Sequence, residues 1–213
     1  MTTAATLATF LGLVVTLLLI WRQSWPGRLR CFTIQSILLA GLAITLAVGA
    51  GKPALLVVAA VVVGLKAWLI PRVLARMAAG HPVRPPTPGR SAGLALLAAG
   101  ALVVVAYVIM LPVTRSSPVP TADAMPLAFA TALIGLFACV TGRDAIGQIL
   151  GFLVFENGVF ALALLATYGL PAIVEAGVFL DVLVIVLIME AIVLRLRREH
   201  DSLGVDRLRE LRG

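Results

Sequence analysis

Residues 145–167 read AIGQILGFLVFENGVFALALLAT, a run of 23 residues whose one charged side chain is Glu156. At about 1.5 Å per residue, a helix of this length crosses the ~30 Å hydrocarbon core of a bilayer. Glu156 falls near the middle of the run, too deep to snorkel to the headgroups. An ionisable group there costs a few kcal/mol, so its presence needs a reason. Gln148 and Asn157 add polar groups, and Gly147, Gly151 and Gly158 add small ones. Gly147 and Gly151 form a G-x-x-x-G pair, a spacing that allows close helix contact. The stretch reads as a membrane span that does not face lipid on every side.

The rest of the chain has the same character. Of 213 residues, 61% are hydrophobic and 13% charged, against roughly 25% charged in an average soluble domain. Mean hydropathy is +1.09. This excludes a soluble globular domain and a disordered chain. The expected fold is an all-α membrane protein of about seven transmembrane helices. They fall near Leu7–Ile20, Phe32–Val48, Ala54–Ile70, Ala92–Leu111, Pro126–Val140, Ala145–Thr167 and Pro171–Leu194. Breaks are expected at residues 22–30 with Pro26 and Gly27, at 49–53, and at 112–121 with Pro112, Pro118 and Pro120. Four prolines between His81 and Gly89 rule out a helix there. The chain thus divides into three spans (1–71), a Pro/Arg-rich loop (72–91), four spans (92–194) and a basic tail (195–213). No repeat relates the two groups of spans. Met1 to Ala5 carry no basic residue ahead of the first long apolar run, which reads as a span and not as a cleaved signal.

Charge placement predicts orientation. Fourteen of the 17 Lys and Arg residues lie in the first, third and fifth connections and the tail. Lys52 and Arg115 alone occupy the other connections, and Lys66 lies inside a span. The positive-inside rule then puts the N-terminus outside and the C-terminus in the cytoplasm. The net charge of +7 is accounted for this way. No basic patch carries interleaved aromatics, so nucleic acid is not an expected partner. The expected partners are the lipid bilayer and other membrane subunits, with the tail either lipid-facing or docking a cytoplasmic partner.

Five ionisable residues fall within predicted spans: Lys66, Glu156, Glu175, Asp181 and Glu190. Lys66 lies near the cytoplasmic end of its span, where snorkelling is one reading and a charge that tunes a neighbour is the other. Glu175 sits one turn into the seventh span. Asp181 and Glu190, nine residues apart, are about 13 Å apart along the axis and point opposite ways. They cannot share a proton, so one helix offers carboxylates to two neighbours. Buried carboxyls can bind and release protons near neutral pH, the chemistry of a proton relay. A purely structural hydrogen-bonding role is the alternative. Gln148, Asn157, Gly147 and Gly151 are the expected polar and small residues of helix interfaces.

Other chemistry is poorly provided for. Cys31 and Cys139 have no metal-ligand spacing. His81 and His200 lie in polar stretches, away from any haem site between helices. No nucleophile–base set or phosphate loop is present, and the final span has no Lys for retinal.

The segment from Gly147 to Gly158 resembles the Q-x-x-G-x-L-x-x-E-N-G core of the hydrogenase-4 component E family. Lys52-Pro53, the run Lys66 to Pro71, Gln35-Ser36, Gly169-Leu170-Pro171, Val174-Glu175 and Leu180-Asp181 are similar to other parts of it. The resemblance covers most of residues 30–195. The last three spans also look like the small K subunit of complex I and the C subunit of multisubunit cation/proton antiporters. The mid-helix Glu of those relatives falls at Leu153, with Glu156 three residues on and on much the same face. Their final-helix Glu-Ala-x-x-Leu is similar to Glu190 through Leu194.

The resemblance implies a non-catalytic membrane subunit of a complex I-like, group 4 nickel–iron (NiFe) hydrogenase or formate hydrogenlyase-type complex in a bacterial or archaeal cytoplasmic membrane. No cofactor is expected on this chain. The NiFe site and iron–sulfur clusters are expected in partner subunits. Those partners would be large antiporter-like membrane subunits, a membrane subunit like the H subunit of complex I, and soluble hydrogenase-like subunits. Glu156, Asp181, Glu190, Glu175 and Lys66 would then carry proton or sodium movement. Two alternatives share the same helix patterns: a non-redox cation/proton or inorganic-carbon transport assembly, and a structural subunit whose carboxylates only tie helices together.

Overall fold

The computed structural model describes residues 2–22, 24–79, 90–142 and 144–168. The predicted seventh span, with Glu175, Asp181 and Glu190, and the basic tail lie outside the described residues, as does the centre of the 72–91 loop.

All regular structure among the described residues is helical: α1 (Thr2–Trp21), α2 (Trp25–Ala50), α3 (Ala54–Val62), α4 (Ile70–Ala79), α5 (Arg90–Ser116), α6 (Met125–Thr141) and α7 (Ala145–Thr167). A π-helical segment, Val63–Leu69, joins α3 to α4 into one continuous rod. Among the described residues, six helical rods are thus long and apolar enough to cross a membrane. α2 packs against α1, the third rod and α7, while α6 packs along α7 and α5. Short connections join α1 to α2, α2 to the third rod, α5 to α6 and α6 to α7. The ends near residues 22–24 and 142–144 therefore share one face, together with the end of α4. The turns at 51–53 and 117–121 and the end of α7 share the other.

Three helices run past breaks read from the sequence. α2 begins at Trp25 and not near Phe32, because Pro26 occupies the first turn, where a missing N–H costs nothing. Arg28 and Arg30 therefore belong to the helix. α5 continues through Pro112 to Ser116. In its last two turns Thr114 Oγ1 donates to Leu111 O at 3.0 Å and Ser116 Oγ to Pro112 O at 2.8 Å. The third rod passes Pro71 and ends at Ala79, so Arg72 and Arg76 lie on α4. Arg72 stacks over the Trp68 ring at 4.0 Å, a cation–π contact at the end of an apolar rod. α6 and α7 match the predicted spans within one residue.

The third rod's π segment has two causes. A proline ring crowds the carbonyl four residues before it, here Ala67, and Pro71 cannot donate to it. Widening the turn relieves both. The buried positions Val62, Lys66, Ile70 and Leu74 are spaced by four. In an α-helix each such step overshoots a full turn by about 40°. The wider turn absorbs that drift and keeps Lys66 on the buried face.

α6 and α7 approach more closely than side chains permit. A Cβ at Gly135 would overlap the Phe155 backbone, one at Gly151 the Cys139 backbone, and one at Gly158 the Ala132 backbone. Three glycines, one on α6 and two on α7 spaced by seven, let the two main chains meet. Asp144 caps α7 by accepting from the Gly147 N–H. α5, by contrast, touches the bundle through Ala99 and Ala106 and leaves Leu94, Leu97, Val104 and Val108 outside.

Candidate functional site

Lys66 is fully buried. Its Nζ lies 3.6 Å from Glu156 Oε2 and donates to Asn157 Oδ1 at 3.0 Å. The Phe160 ring sits 5.8 Å from the same nitrogen. Positions 156, 157 and 160 lie within about 100° of one another on α7. One face of α7 thus presents a carboxylate, an amide and a π-face to one ammonium group. Snorkelling is ruled out for Lys66, since the π segment points it into the bundle.

The polar chain continues into α2 and α1. Asn157 Nδ2 donates to Gln35 Oε1 at 3.2 Å and to Ser36 Oγ at 3.4 Å. Gln35 Nε2 donates to Thr16 Oγ1 at 2.7 Å. Thr16 Oγ1 donates to Gly12 O at 2.8 Å, and Ser36 Oγ to Phe32 O at 3.0 Å. An ammonium group only donates, so Lys66 fixes which end of the Asn157 amide faces it. That choice orients Gln35, and Gln35 in turn orients Thr16. The whole chain has one direction, set by the charge on Lys66.

The electrostatics are strong. At an effective dielectric of about 20, unit charges 3.6 Å apart attract by roughly 4–5 kcal/mol. The pair joins the third rod to α7, and the hydrogen bonds from Asn157 extend from there to α2 and then α1.

The structure places the other described sequence candidates as follows. Gly151 is at the α6–α7 contact, but Gly147 is not: a Cβ there would meet Asp144 Oδ1 at 3.0 Å, inside its own cap. The G-x-x-x-G pair is thus divided, and the working glycine partners of Gly151 are Gly158 and Gly135. Gln148 is exposed and donates to Gly142 O at 3.1 Å, tying the α6–α7 turn instead of bridging two helices at depth. Its position three residues into α7 puts it within reach of that carbonyl. Leu153, at the position of the K subunit's Glu, is fully buried. Glu175, Asp181 and Glu190 lie outside the described residues.

Gln35, Ser36 and Thr16 were not among the predicted site residues. Gln35 and Ser36 carried the signal that picked out Glu156, polar groups deep in a long apolar run. Thr16 carried none, because threonine in a membrane helix commonly bonds its own backbone. Two further residues close the other end of α7. Lys52 Nζ donates to Tyr168 O at 3.1 Å and Thr121 Oγ1 to Leu165 O at 2.7 Å. Both satisfy carbonyls that a helix end leaves open. Among the described residues, no three His, Cys, Asp or Glu side chains come together as metal ligands.

Fold and site together define a multi-pass helical membrane protein built around a buried lysine–glutamate–asparagine cluster. Known proteins place it more narrowly. The chain is 36% identical over 204 residues to the uncharacterized protein Rv0085 of Mycobacterium tuberculosis, covering 94% of this chain and 93% of that protein. It is 29% identical over 190 residues to hydrogenase-4 component E of Escherichia coli and, equally, of Shigella flexneri, covering 87% of this chain and 88% of theirs. The chain is thus a distant relative of hydrogenase-4 component E. No family model matches it, and no solved structure does.

Proposed function

We propose that this chain is a non-catalytic membrane subunit of a hydrogenase-type, complex I-like redox complex, and that its buried charge pair takes part in proton or sodium translocation. The observation that carries the reading is the Lys66–Glu156 pair, held at 3.6 Å inside the bundle with Asn157 on the lysine. Burying two charges is expensive, and well-packed apolar residues would hold the helices at least as well. A charge pair that can change its proton occupancy gives a use for that expense. The name of the Escherichia coli relative, hydrogenase-4 component E, supports the assembly.

In this reading the nickel–iron and iron–sulfur chemistry belongs to soluble partner subunits. Proton arrival at Glu156 cancels its charge and removes most of the pull on Lys66. The hydrogen bond to Asn157 and the contact with the Phe160 ring remain on the ammonium group. Glu175, Asp181 and Glu190 are the further carboxylates such a path would use. The arginine-rich ends, near residues 22–30, 72–76 and 143, face the cytoplasm by the positive-inside rule. The complex sits in the cytoplasmic membrane, beside antiporter-like membrane subunits.

The test is Glu156→Gln in the assembled complex. It keeps shape and hydrogen bonding but cannot exchange the proton. Ion translocation per turnover should fall by roughly a hundredfold, with subunit assembly intact. Full turnover with full translocation would reject the role. Co-purified nickel and iron would support the redox assembly, and a complex without them would favour a non-redox transporter.

A further inference from the structure

Beside the charge cluster, a small cavity of about 30 Å³ lies between α1, α2, α6 and α7. A water molecule needs roughly 10–15 Å³ of such space and two to four polar partners. The volume therefore suits about two waters. The polar lining is Thr9, Gln35, Thr131 and Asn157, all at least nine-tenths buried. The hydroxyls of Thr9 and Thr131 donate to Ala5 O and Leu127 O, at 2.8 Å and 3.0 Å. Each oxygen keeps a lone pair that can accept. Gln35 uses one N–H on Thr16 and keeps a second. Two acceptors and a donor are what one bound water asks for. Space is also left at Gly12, where an added Cβ would meet nothing within 4 Å.

The cavity lies to one side of the charge pair. Asn157 and Gln35 mark its inner end. Leu42 on α2 is seven residues beyond Gln35, about 10 Å further from the arginine-rich end. Ala161 is one turn beyond Asn157 toward the end of α7. Ala128 lies near the start of α6. These residues belong to the half of the bundle that ends at the 51–53 and 117–121 turns.

We infer that this cavity is a water site and forms a hydrated half-path. It carries protons between the Lys66–Glu156 pair and the face opposite the arginine-rich ends. The inference rests on the proposed function and extends it by naming a route, a side and the ligand, water. Asn157 and Gln35 are positioning residues here. Their amides, oriented from Lys66, present the donor that anchors the innermost water. Ala128 is the wall residue that a larger side chain would turn into a plug.

The experiment uses the assembled complex in nanodiscs and reads bound water by radiolytic hydroxyl-radical footprinting. Radicals form where water is, so Leu38, Leu39 and Leu42 on the cavity wall should be oxidised more than Leu94 and Leu97 on the outer face of α5. Ala128→Leu should remove that labelling and slow proton translocation by roughly tenfold, with electron transfer to an artificial acceptor unchanged. Thr131→Val, which keeps the shape and removes the hydroxyl, should reduce both more mildly and covers the case in which Ala128→Leu fails to assemble. Cavity leucines labelled no more than the α5 leucines would overturn the inference, as would Ala128→Leu translocating at the wild-type rate. If these variants translocate normally while Glu156→Gln does not, only the half-path fails. If Glu156→Gln also translocates normally, the functional reading fails with it.

Discussion

The α6–α7 hairpin and the third rod are both apolar enough to cross a membrane, with mean hydropathies of 2.0 to 2.3, yet they are held by opposite means. The hairpin is joined by absence: Gly135, Gly151 and Gly158 let two backbones touch, and dispersion does the rest. The third rod is fastened to α7 by presence, through one ammonium group bonded at depth to Asn157 and paired with Glu156. Lipid tails are as apolar as leucine, so neither contact is driven by the hydrophobic effect. The hairpin is a fixed scaffold because backbone contact has no second state. The third rod's attachment runs through a buried charge pair. α7 takes part in both, its glycines toward α6 and its polar residues toward Lys66. The helix with the close backbone contact therefore carries Glu156, and Lys66 sits on the rod with the irregular turn.

Breaking the third rod's attachment should have the largest effect. Lys66→Met keeps length and burial but removes a donor to Asn157 and a charged partner of Glu156. Losing one side of a buried ion pair typically costs about 3–5 kcal/mol. The expected outcome is poor accumulation of the subunit and loss of the complex on detergent extraction. The double variant Lys66→Met/Glu156→Gln should recover much of the assembly but none of the translocation. A single Lys66→Met variant as stable as wild type would mean that the glycine hairpin alone holds the bundle.

Breaking the hairpin comes next. Gly151→Ala puts a Cβ into the backbone of α6 at Ala138 and Cys139. The nearest backbone atom, Cys139 N, would overlap that Cβ and cannot swing away, so the two helices must move apart. Overpacking of this kind costs about 1–3 kcal/mol. Thermal unfolding in detergent, followed by tryptophan fluorescence, should show a lower midpoint. Translocation by the surviving complex should be close to normal, because the charge cluster is on the other face of α7. A translocation defect larger than the stability defect would show that helix spacing controls the charge pair.

The contrast was only half legible in the sequence. Span positions followed from hydropathy, and the ends of α6 and α7 were clear because Pro126, Asp144 and a polar turn mark them. Glu156 and Lys66 were visible as costs without a stated partner. What pairs them is not a local property: 90 residues separate them, and no periodicity shows which neighbouring helix a side chain meets. The π segment was hidden too, although Pro71 inside an apolar run was its trace. Proline was read as a stop at positions 26, 71 and 112. At 26 the proline fits the first turn of a helix, and at 71 a widened turn removes its clash with the carbonyl four residues back.

The smallest expected effect separates the two glycines that the sequence presented as a pair. Gly147 is the third residue of α7, and its added methyl would meet Asp144 Oδ1 at 3.0 Å. That atom is the tip of a side chain, not backbone, so a small rotation about the Asp144 χ angles relieves the contact. The rotation weakens the cap, a loss of up to about 1 kcal/mol. Replacing glycine by alanine in a helix returns about the same amount through lower backbone entropy in the unfolded chain. Gly147→Ala should therefore leave the unfolding midpoint nearly unchanged, where Gly151→Ala lowers it. If the two variants lost stability equally, Gly147 would have to face another helix. The G-x-x-x-G spacing would then be the operative contact, in place of the 151–158 pair that meets α6.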